Sequence, residues 1–137
     1  MEKGTSQIMI NKDHEEKIRE LRILELQRGN DGSLSWLINK YLRIGIIAWV
    51  DGKTLPVKNR SKNYVKNSRR ILVYKDVFES ICYFRAFYMI KKRKMPEVEA
   101  ADRLFRLGFE WRHEYSEDSF NDGCIMKNKL KELIDTL

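Results

Sequence analysis

The sequence predicts a mainly α protein with one two-stranded antiparallel β-ribbon, formed as a pseudo-dimer by two copies of one small unit in a single chain. The first observation is an internal repeat at one fixed offset along the chain, which places Ile8-Met9-Ile10 on Ile71-Leu72-Val73. At the same offset, residues 39–45 align with residues 102–108 without a gap. Identical residues also meet at Lys12 and Lys75, Asp13 and Asp76, Glu16 and Glu79, Ile18 and Ile81, and Arg22 and Arg85. An offset held over this length indicates an internal duplication.

The second observation is a period of two at the start of each repeat. Ile8 and Ile10 alternate with polar residues and Met9, and Ile71 and Val73 alternate in the same way. This period is typical of a short strand with one buried face. The residues that we expect to point outward from the two strands are Thr5, Gln7, Met9, Ser68, Arg70 and Leu72.

The third observation is an Asp-x-x-Glu sequence directly after each strand, at Asp13 to Glu16 and at Asp76 to Glu79. This is a capping-box pattern, in which the Asp side chain accepts from a first-turn N–H and the Glu reaches back to the cap. A helical apolar stripe follows each box. The predicted core residues of these first helices are Ile18, Leu21, Leu24, Ile81, Phe84 and Phe87.

A turn and a second helix complete each repeat. Gly29 suits the left-handed end of a helix, and Ser33 suits the cap of the next one. In the second repeat the break is Lys91 to Met95, and Pro96 suits a first helical turn. The predicted core stripes are Leu34, Leu37, Ile38, Tyr41, Leu42 and Ile44, and then Ala100, Ala101, Leu104, Phe105 and Leu107.

A strand, a helix, a short turn and a helix in about 45 residues form the ribbon-helix-helix pattern. One such unit has an unpaired strand and too small a core to be stable alone. We therefore expect residues 6–10 to pair with residues 69–73, making a single-chain tandem ribbon-helix-helix pseudo-dimer that is monomeric in solution. Assembly of several copies on one partner molecule is left open.

The chain divides by composition into four parts: residues 1–50 as the first repeat, 51–67 as a basic linker, 68–113 as the second repeat, and 114–137 as an acidic joint with a C-terminal helix. That helix carries an apolar stripe, which we expect to pack on its own domain, with docking to another protein as the alternative. The sequence predicts no membrane span and no signal peptide, and the two cysteines, which match no metal spacing, favour a reducing, cytoplasmic location.

The charge is high and uneven. The net charge is +7, yet residues 110–137 hold four Lys/Arg against seven Asp/Glu. A basic body with an acidic tail points to a polyanionic partner. Residues 51–70 hold seven cations and one acid, so this stretch is either a solvated connector or a clamp on the nucleic-acid backbone.

The outward strand residues are the candidate base readers, because a two-stranded ribbon fits the DNA major groove. Gln7 can pair with adenine, and Arg70 with guanine. Met9 and Leu72 can contact a thymine methyl, and Thr5 and Ser68 can serve bases or phosphates. In the duplicated register Gln7 is opposed by Arg70 and Met9 by Leu72, so the site is expected to be asymmetric. The alternative is that all six are merely solvent-facing.

The candidate phosphate contacts lie at the second-helix N-termini and in the linker. A helix N-terminus favours an anion through its free N–H groups and its dipole. In the second repeat Glu97 would repel a phosphate, and nearby cations compensate. The predicted phosphate-binding residues are Ser33, Leu34, Lys58, Arg60, Lys62, Lys66, Arg69 and Lys94.

The sequence contains no catalytic constellation. His14 and His113 are far apart and lack a neighbouring nucleophile, and Cys82 and Cys124 match no metal spacing. We therefore expect no enzyme activity, no cofactor, no metal and no small-molecule substrate.

Three features resemble the TraY family of relaxosome accessory proteins from F-like conjugative plasmids. These are the tandem duplication, the basic linker stretch of residues 59–64, and Glu99-Ala100-Ala101-Asp102-Arg103. The resemblance covers residues 5–113. It implies binding and bending of double-stranded DNA at the origin of transfer, help to the relaxase and other relaxosome proteins, and regulation of transfer-gene transcription. By position it carries base reading onto Thr5, Gln7, Met9, Ser68, Arg70 and Leu72, although Met9 and Leu72 are more apolar than the usual readers.

Two other functions stay open. The first is a plasmid or phage transcriptional repressor of the same fold, whose DNA chemistry would be identical. The second is a protein-interaction adaptor that acts through the C-terminal helix. The position of the bound DNA site separates the first from a relaxosome factor, and weak DNA affinity would favour the second.

Overall fold

The structure is a computed structural model, and it describes residues 5–11, 15–29, 32–54, 68–120 and 124–136. Within these ranges, the side chains of residues 5–11, 15–17, 34, 68, 69, 124, 125 and 133 lie outside the description. The predicted mainly helical class is confirmed. The elements are β1 (Thr5–Asn11), α1 (Glu15–Gln27), α2 (Leu34–Val50), β2 (Ser68–Tyr74), α3 (Lys75–Ile90), α4 (Glu97–Glu110), a 3₁₀ turn (Glu117–Ser119) and α5 (Cys124–Asp135).

The two strands pair in antiparallel register over their full length. Thr5 lies opposite Tyr74, Ile8 opposite Ile71, and Asn11 opposite Ser68. Ile8 and Ile71 are the central residues of their strands and are also equivalent positions of the two repeats. In an antiparallel pair, equivalent residues that meet face to face mark a local two-fold axis. The ladder therefore has an approximate two-fold axis at the Ile8–Ile71 pair.

The most extensive packing between helices joins two that begin at equivalent positions of the sequence repeat. Helix α2 begins at Leu34 and α4 begins at Glu97, which are again equivalent positions of the two repeats, and these two helices pack against each other. Their backbones meet at Gly45 and Gly108. An added Cβ at Gly45 would lie 1.8 Å from the carbonyl oxygen of Leu104, and one at Gly108 would lie 1.8 Å from that of Tyr41.

Because Tyr41 and Leu104 are also related by the repeat offset, the two glycine contacts are equivalent to each other. Only a residue without a Cβ allows helices to approach this closely, since real Cβ atoms are not found at such distances from a backbone oxygen. The crossing of α2 and α4 thus depends on both glycines, and it joins the two repeats into one core.

The core confirms most of the predicted stripes. The buried apolar residues of the second helices include Leu37, Leu42, Leu104 and Phe105. All three predicted residues of α3 are buried as well: Ile81, Phe84 and Phe87.

In α1 the prediction for Leu24 is wrong, because its side chain is 49% exposed. The residue that faces inward after Leu21 is Glu25, which is buried and paired with Lys40 at 3.5 Å. Phe87, the counterpart of Leu24, is covered by the Trp49 ring at a centroid distance of 4.7 Å. The counterpart of Trp49 is Arg112, which follows the end of α4 and lies on Phe109 instead. Leu24 therefore lacks the aromatic cover that Phe87 has.

The helix starts differ from the predictions in the second repeat. Helix α3 begins at Lys75, one residue before Asp76, so Asp76 lies in the first turn and is not the cap. Its carboxylate accepts from the Val77 N–H at 2.8 Å, and the capping-box prediction is wrong there. Pro96 is the cap residue of α4 and precedes the first turn. The capping-box prediction at Asp13 lies outside the described residues.

In the first repeat, Ser33 caps α2 as predicted, and Gly29 has a positive φ of 85°.

Helix α5 packs against α3 and, to a smaller extent, against α2. Met126 is buried in the common core, Leu130 is half-buried, and Ile134 is exposed. Packing on its own domain is the arrangement that the stripe predicts. Among the helices that the structure describes, none has both the length and the apolar character needed to cross a membrane.

Candidate functional site

The exposed face of β2 is the first part of the candidate site. Ile71 and Val73 are buried beneath the helices, whereas Arg70 is exposed and Leu72 is 48% exposed. This alternation is the one that the sequence predicts for the strand. It leaves a long cation and an apolar side chain next to each other on the side away from the core.

The register brings four of the six predicted base readers together, two on each strand. Gln7 lies opposite Leu72, and Met9 lies opposite Arg70. The expected opposition of Gln7 by Arg70 and of Met9 by Leu72 is therefore wrong. The reason is geometric, because a two-fold axis at Ile8 and Ile71 places equivalent residues diagonally and not face to face.

The remaining two predicted readers lie at the outer ends of the ladder. Thr5 pairs with Tyr74, and Ser68 pairs with Asn11. The side chains of Thr5, Gln7, Met9 and Ser68 lie outside the described part of the structure, which places only their positions along the strands.

The N-terminus of α2 is the second part of the candidate site. Ser33 is exposed and extended, and its hydroxyl accepts from the Trp36 N–H at 3.1 Å. Gly32 lies against the Trp36 ring, where a Cβ would be 1.8 Å from a ring carbon. The first turn of α2 carries no acidic residue. These features leave a helix N-terminus of the kind that binds anions.

The N-terminus of α4 has different electrostatics. Its cap residue Pro96 makes no side-chain cap bond, and Glu97 and Glu99 both lie in the first turn. Lys94 and its neighbouring cations are exposed just before the helix. Because a carboxylate at this end competes with an anion, the two equivalent helix ends differ in their capacity to bind a phosphate.

Asn39 ties α2 to β2, and it is a residue that the predicted site did not include. Its side-chain oxygen accepts from the Tyr74 N–H at 2.9 Å, and its amide donates to the Leu72 carbonyl at 3.2 Å. The Ser35 hydroxyl donates to the same carbonyl. These bonds fix the N-terminal turn of α2 relative to the exposed strand. The sequence pattern could have indicated this role, since Asn39 and Asp102 occupy equivalent positions of the two repeats and both are polar residues within apolar helical stripes.

A polar cavity of about 370 Å³ lies beside this junction, and its lining includes Trp36, Asn39, Tyr74 and Asp118. Arg43 lines it as well, with its guanidinium 4.9 Å from the Tyr74 ring centre and 5.5 Å from that of Phe120. The same guanidinium lies 3.0 Å from Asp76 and 3.7 Å from Glu117. Since carboxylates surround its cation, the cavity is unsuited to an anion.

The acidic joint is held to α2 and its C-cap by polar contacts. The Tyr115 hydroxyl donates to the Asp51 carboxylate at the end of α2. This hydrogen bond raises the pKa of Tyr115 to about 12. Together with the Glu117–Arg43 pair, it places the 3₁₀ turn against α2.

The predicted phosphate contacts are only partly described. Ser33 and Lys94 are both exposed, Leu34 begins α2, and Arg69 lies in β2 opposite Ile10. Lys58, Arg60, Lys62 and Lys66 lie outside the described residues.

Few side chains suited to catalysis or metal binding lie elsewhere in the described residues. Desolvation raises the pKa of the Cys82 thiol, although the residue as a whole is exposed. His113 is exposed, and no group of three metal-ligating side chains comes together in the described part of the chain. His14 and the side chain of Cys124 lie outside the description.

Comparison with known proteins adds no relative: no protein-family model, no curated protein and no solved structure matches this sequence.

Proposed function

We propose that this chain is a sequence-specific double-stranded DNA-binding protein with a single-chain tandem ribbon-helix-helix fold. In this proposal the strand pair enters the major groove, and its outward side chains contact base edges. The observation that carries the proposal is the exposed pair Arg70 and Leu72 on a strand whose alternate residues, Ile71 and Val73, are buried. An exposed two-stranded ladder with an apolar side chain on its outer face is unusual without a partner.

The electrostatics support a DNA partner. Residues before Glu110 hold 23 of the 27 basic residues and 13 of the 20 acidic ones. The first turn of α2 carries no acidic residue, so the positive end of its helix dipole favours a phosphate. The α4 N-terminus, with Glu97 and Glu99, relies on Lys94 and its neighbours. The N-termini of α2 and α4 are therefore expected to bind the DNA backbone with unequal strength.

In the same proposal the protein acts as a relaxosome accessory factor that binds and bends an origin of transfer to assist the relaxase. The support is the resemblance of residues 5–113 to the TraY family. A plasmid or phage repressor of the same fold would have the same DNA chemistry, and footprinting on the DNA that encodes the protein separates the two. An adaptor acting through the C-terminal helix is less favoured, because α5 packs on α3 with Met126 buried.

The preferred DNA site should be asymmetric. The approximate two-fold axis exchanges Gln7 with Arg70 and Met9 with Leu72, and neither exchange conserves the residue. Gln7 favours adenine on one side and Arg70 favours guanine on the other. Replacing Arg70 by alanine should cost about 1–3 kcal/mol on the best site and relax preference at that guanine alone. Site selection from random DNA, with the wild type and with Gln7→Ala and Arg70→Ala, measures this.

Lys127→Ala is the control, because it removes an exposed cation from α5, a helix that packs on α3 and α2. It should leave the consensus unchanged. A palindromic consensus, or the same position relaxing in both strand variants, would contradict the proposed reading.

The linker should control affinity more than sequence preference. Its cations would meet phosphates, which carry no base information. Replacing Lys58, Arg60 and Lys62 by alanine should flatten the slope of log K against log salt by up to about 0.9 per lost contact. Binding titrations at several salt concentrations give the slope, and Lys127→Ala with Lys131→Ala provides a comparison for loss of charge elsewhere. An unchanged slope would mean that the linker is only a connector.

A further inference from the structure

Helix α2 covers one edge of β2 with hydrogen bonds from its side chains. The Asn39 side-chain oxygen accepts from the Tyr74 N–H at 2.9 Å, and its nitrogen donates to the Leu72 carbonyl at 3.2 Å. The Ser35 hydroxyl donates to the same carbonyl. Leu72 and Tyr74 are two residues apart, so their backbone polar groups lie along the same edge of the strand. Asn39 therefore bonds this edge in the way that a peptide group of a third strand would.

The asparagine is itself held in place. Asn39 is 2% exposed, and its nitrogen also donates to the Ser35 backbone carbonyl at 2.7 Å. An amide has one acceptor oxygen and two N–H donors, so these bonds engage both ends of the group. A shift of β2 away from α2 would leave buried polar groups without partners, which costs more than the bonds themselves contribute. The N-terminal turns of α2 and the strand β2 are therefore fixed relative to each other.

The second repeat cannot form the same bonds from the equivalent positions. Val98 stands where the first repeat has the serine, and Asp102 stands where it has the asparagine. Valine has no hydroxyl, and a carboxylate accepts hydrogen bonds but does not donate them. Neither residue can therefore donate to the Met9 carbonyl, which is the counterpart of the Leu72 carbonyl. The Asp102 carboxylate is paired with Arg106 of the same helix at 3.7 Å.

We propose that Ser35 and Asn39 are positioning residues, which hold β2 in place for base reading and control discrimination on the β2 half of the DNA site. The inference rests on the proposed DNA function and adds a specificity device to it. A phosphate held at the α2 N-terminus would fix the protein on the duplex, since phosphate contacts set register and orientation. The bonds of Ser35 and Asn39 carry that position to Arg70 and Leu72, the exposed side chains of β2.

The contribution of these bonds to recognition is precision. A base edge is read by hydrogen bonds whose strength falls steeply with poor geometry, so the reading side chain must be held closely. A strand that shifts relative to the helix N-terminus accepts more than one base, because its side chains find alternative contacts. Removing the donors from the first repeat should therefore relax one half of the DNA site and leave the other half as it is.

The test compares dissociation constants for matched duplexes. Fluorescence anisotropy gives the affinity for the best site from random selection, and for duplexes changed at the base pair facing Arg70 or at the one facing Gln7. A wrong base pair typically weakens specific binding by about 5- to 150-fold, and this ratio is the discrimination at that position. The variant Ser35→Val with Asn39→Asp gives the first repeat the residues of the second and keeps an acceptor for the Tyr74 N–H.

In this double variant, discrimination at the base pair facing Arg70 should fall by about 3- to 10-fold, the equivalent of one typical hydrogen bond. Discrimination at the base pair facing Gln7 should not change. The slope of log K against log salt should change by less than about 0.9, the value of one phosphate contact. Ser80→Ala is the control, because it removes another buried hydroxyl, which donates to the Asp76 carbonyl at 2.9 Å within α3. It should leave both discrimination ratios unchanged.

A uniform loss of affinity with both ratios unchanged would show that Ser35 and Asn39 only stabilise the fold, and it would overturn the inference. Relaxation at the base pair facing Gln7 as well would also overturn it, since the effect would not be confined to β2. If circular dichroism shows that the double variant is unfolded, Ser35→Ala takes its place. That variant removes a single hydroxyl and should relax the same half by a smaller factor, and an unchanged ratio in it would overturn the inference.

The two proposals fail in different ways. A wild type that does not bind DNA, or binds every duplex equally, would contradict the proposed function and this inference with it. A wild type that discriminates, with the same ratios in the Ser35 and Asn39 variants, would contradict this inference alone.

Discussion

Replacing either Gly45 or Gly108 by alanine should lower the free energy of unfolding by at least about 3 kcal/mol, the largest effect that we expect of any single methyl group in this chain. Each new Cβ would lie 1.8 Å from a carbonyl oxygen of the opposite helix. The obstacle is backbone, which cannot turn aside as a side chain can. Helices α2 and α4 would have to separate, and the core between them, including Leu42 and Leu104, would lose its contacts.

Helix propensity makes the sign of this prediction informative. Alanine in a helix interior is favoured over glycine by about 1 kcal/mol, so propensity alone predicts stabilisation. Urea unfolding of Gly45→Ala and Gly108→Ala, followed by circular dichroism, gives the free energies. Glu110→Ala, at an exposed position in the last turn of α4, serves as a control and should change stability by less than about 0.5 kcal/mol. A stabilised Gly108→Ala variant would contradict the close crossing.

These glycines also show which features of the fold the sequence alone predicts. The repeat offset aligns Gly45 with Gly108, which marks an equivalent position in both repeats. The sequence around each glycine does not predict that the two residues meet, because their contact joins helices that belong to different repeats. Alternation is different, since the pleat of a strand dictates it locally. For that reason the buried Ile71 and Val73 and the exposed Arg70 and Leu72 follow from the sequence.

The errors have the same origin. The repeat pattern predicts Leu24 in the core as the counterpart of Phe87, but burial at that position requires the Trp49 ring, which only one repeat supplies. Asp76 matches a capping box by spacing, yet α3 already begins at Lys75. The Asp76 carboxylate pairs with Arg43 in addition to accepting from the Val77 N–H. Both errors come from partners distant in the chain. The prediction that Gln7 lies opposite Arg70 failed for a similar reason, because the strand register that decides it is set by pairing between distant parts of the chain.

Arg43 connects three parts of the chain. It belongs to α2 of the first repeat, and its guanidinium pairs with Asp76 of the second repeat at 3.0 Å and with Glu117 of the acidic joint at 3.7 Å. The side chains of Arg43 and Asp76 are only 10% and 13% exposed. The planar cation also lies on the rings of Tyr74 and Phe120. Removing it leaves largely buried carboxylates without their cation, which is far more costly than losing a surface pair.

The variant Arg43→Met should therefore lower the free energy of unfolding by about 3 kcal/mol, the lower end of the range for breaking a buried pair. Arg43→Lys should fall between it and the wild type, since an ammonium keeps the charge but loses the fork geometry and the ring stacking. Urea unfolding gives the values. Chymotrypsin cleavage at Tyr115 and Phe120 reports whether the joint has come away from α2.

A double-mutant cycle with Asp76→Asn separates the ion pair from simple loss of packing. Asparagine keeps an oxygen for the Val77 N–H, so Asp76→Asn removes the charge with little change of shape. If the pair matters, Arg43→Met should lower the free energy of unfolding clearly less in the Asp76→Asn background than in the wild type. In that background residue 76 carries no charge that the loss of Arg43 could leave unpaired. Additive losses, or a loss below about 1 kcal/mol for Arg43→Met, would show that the two repeats are held together without this pair.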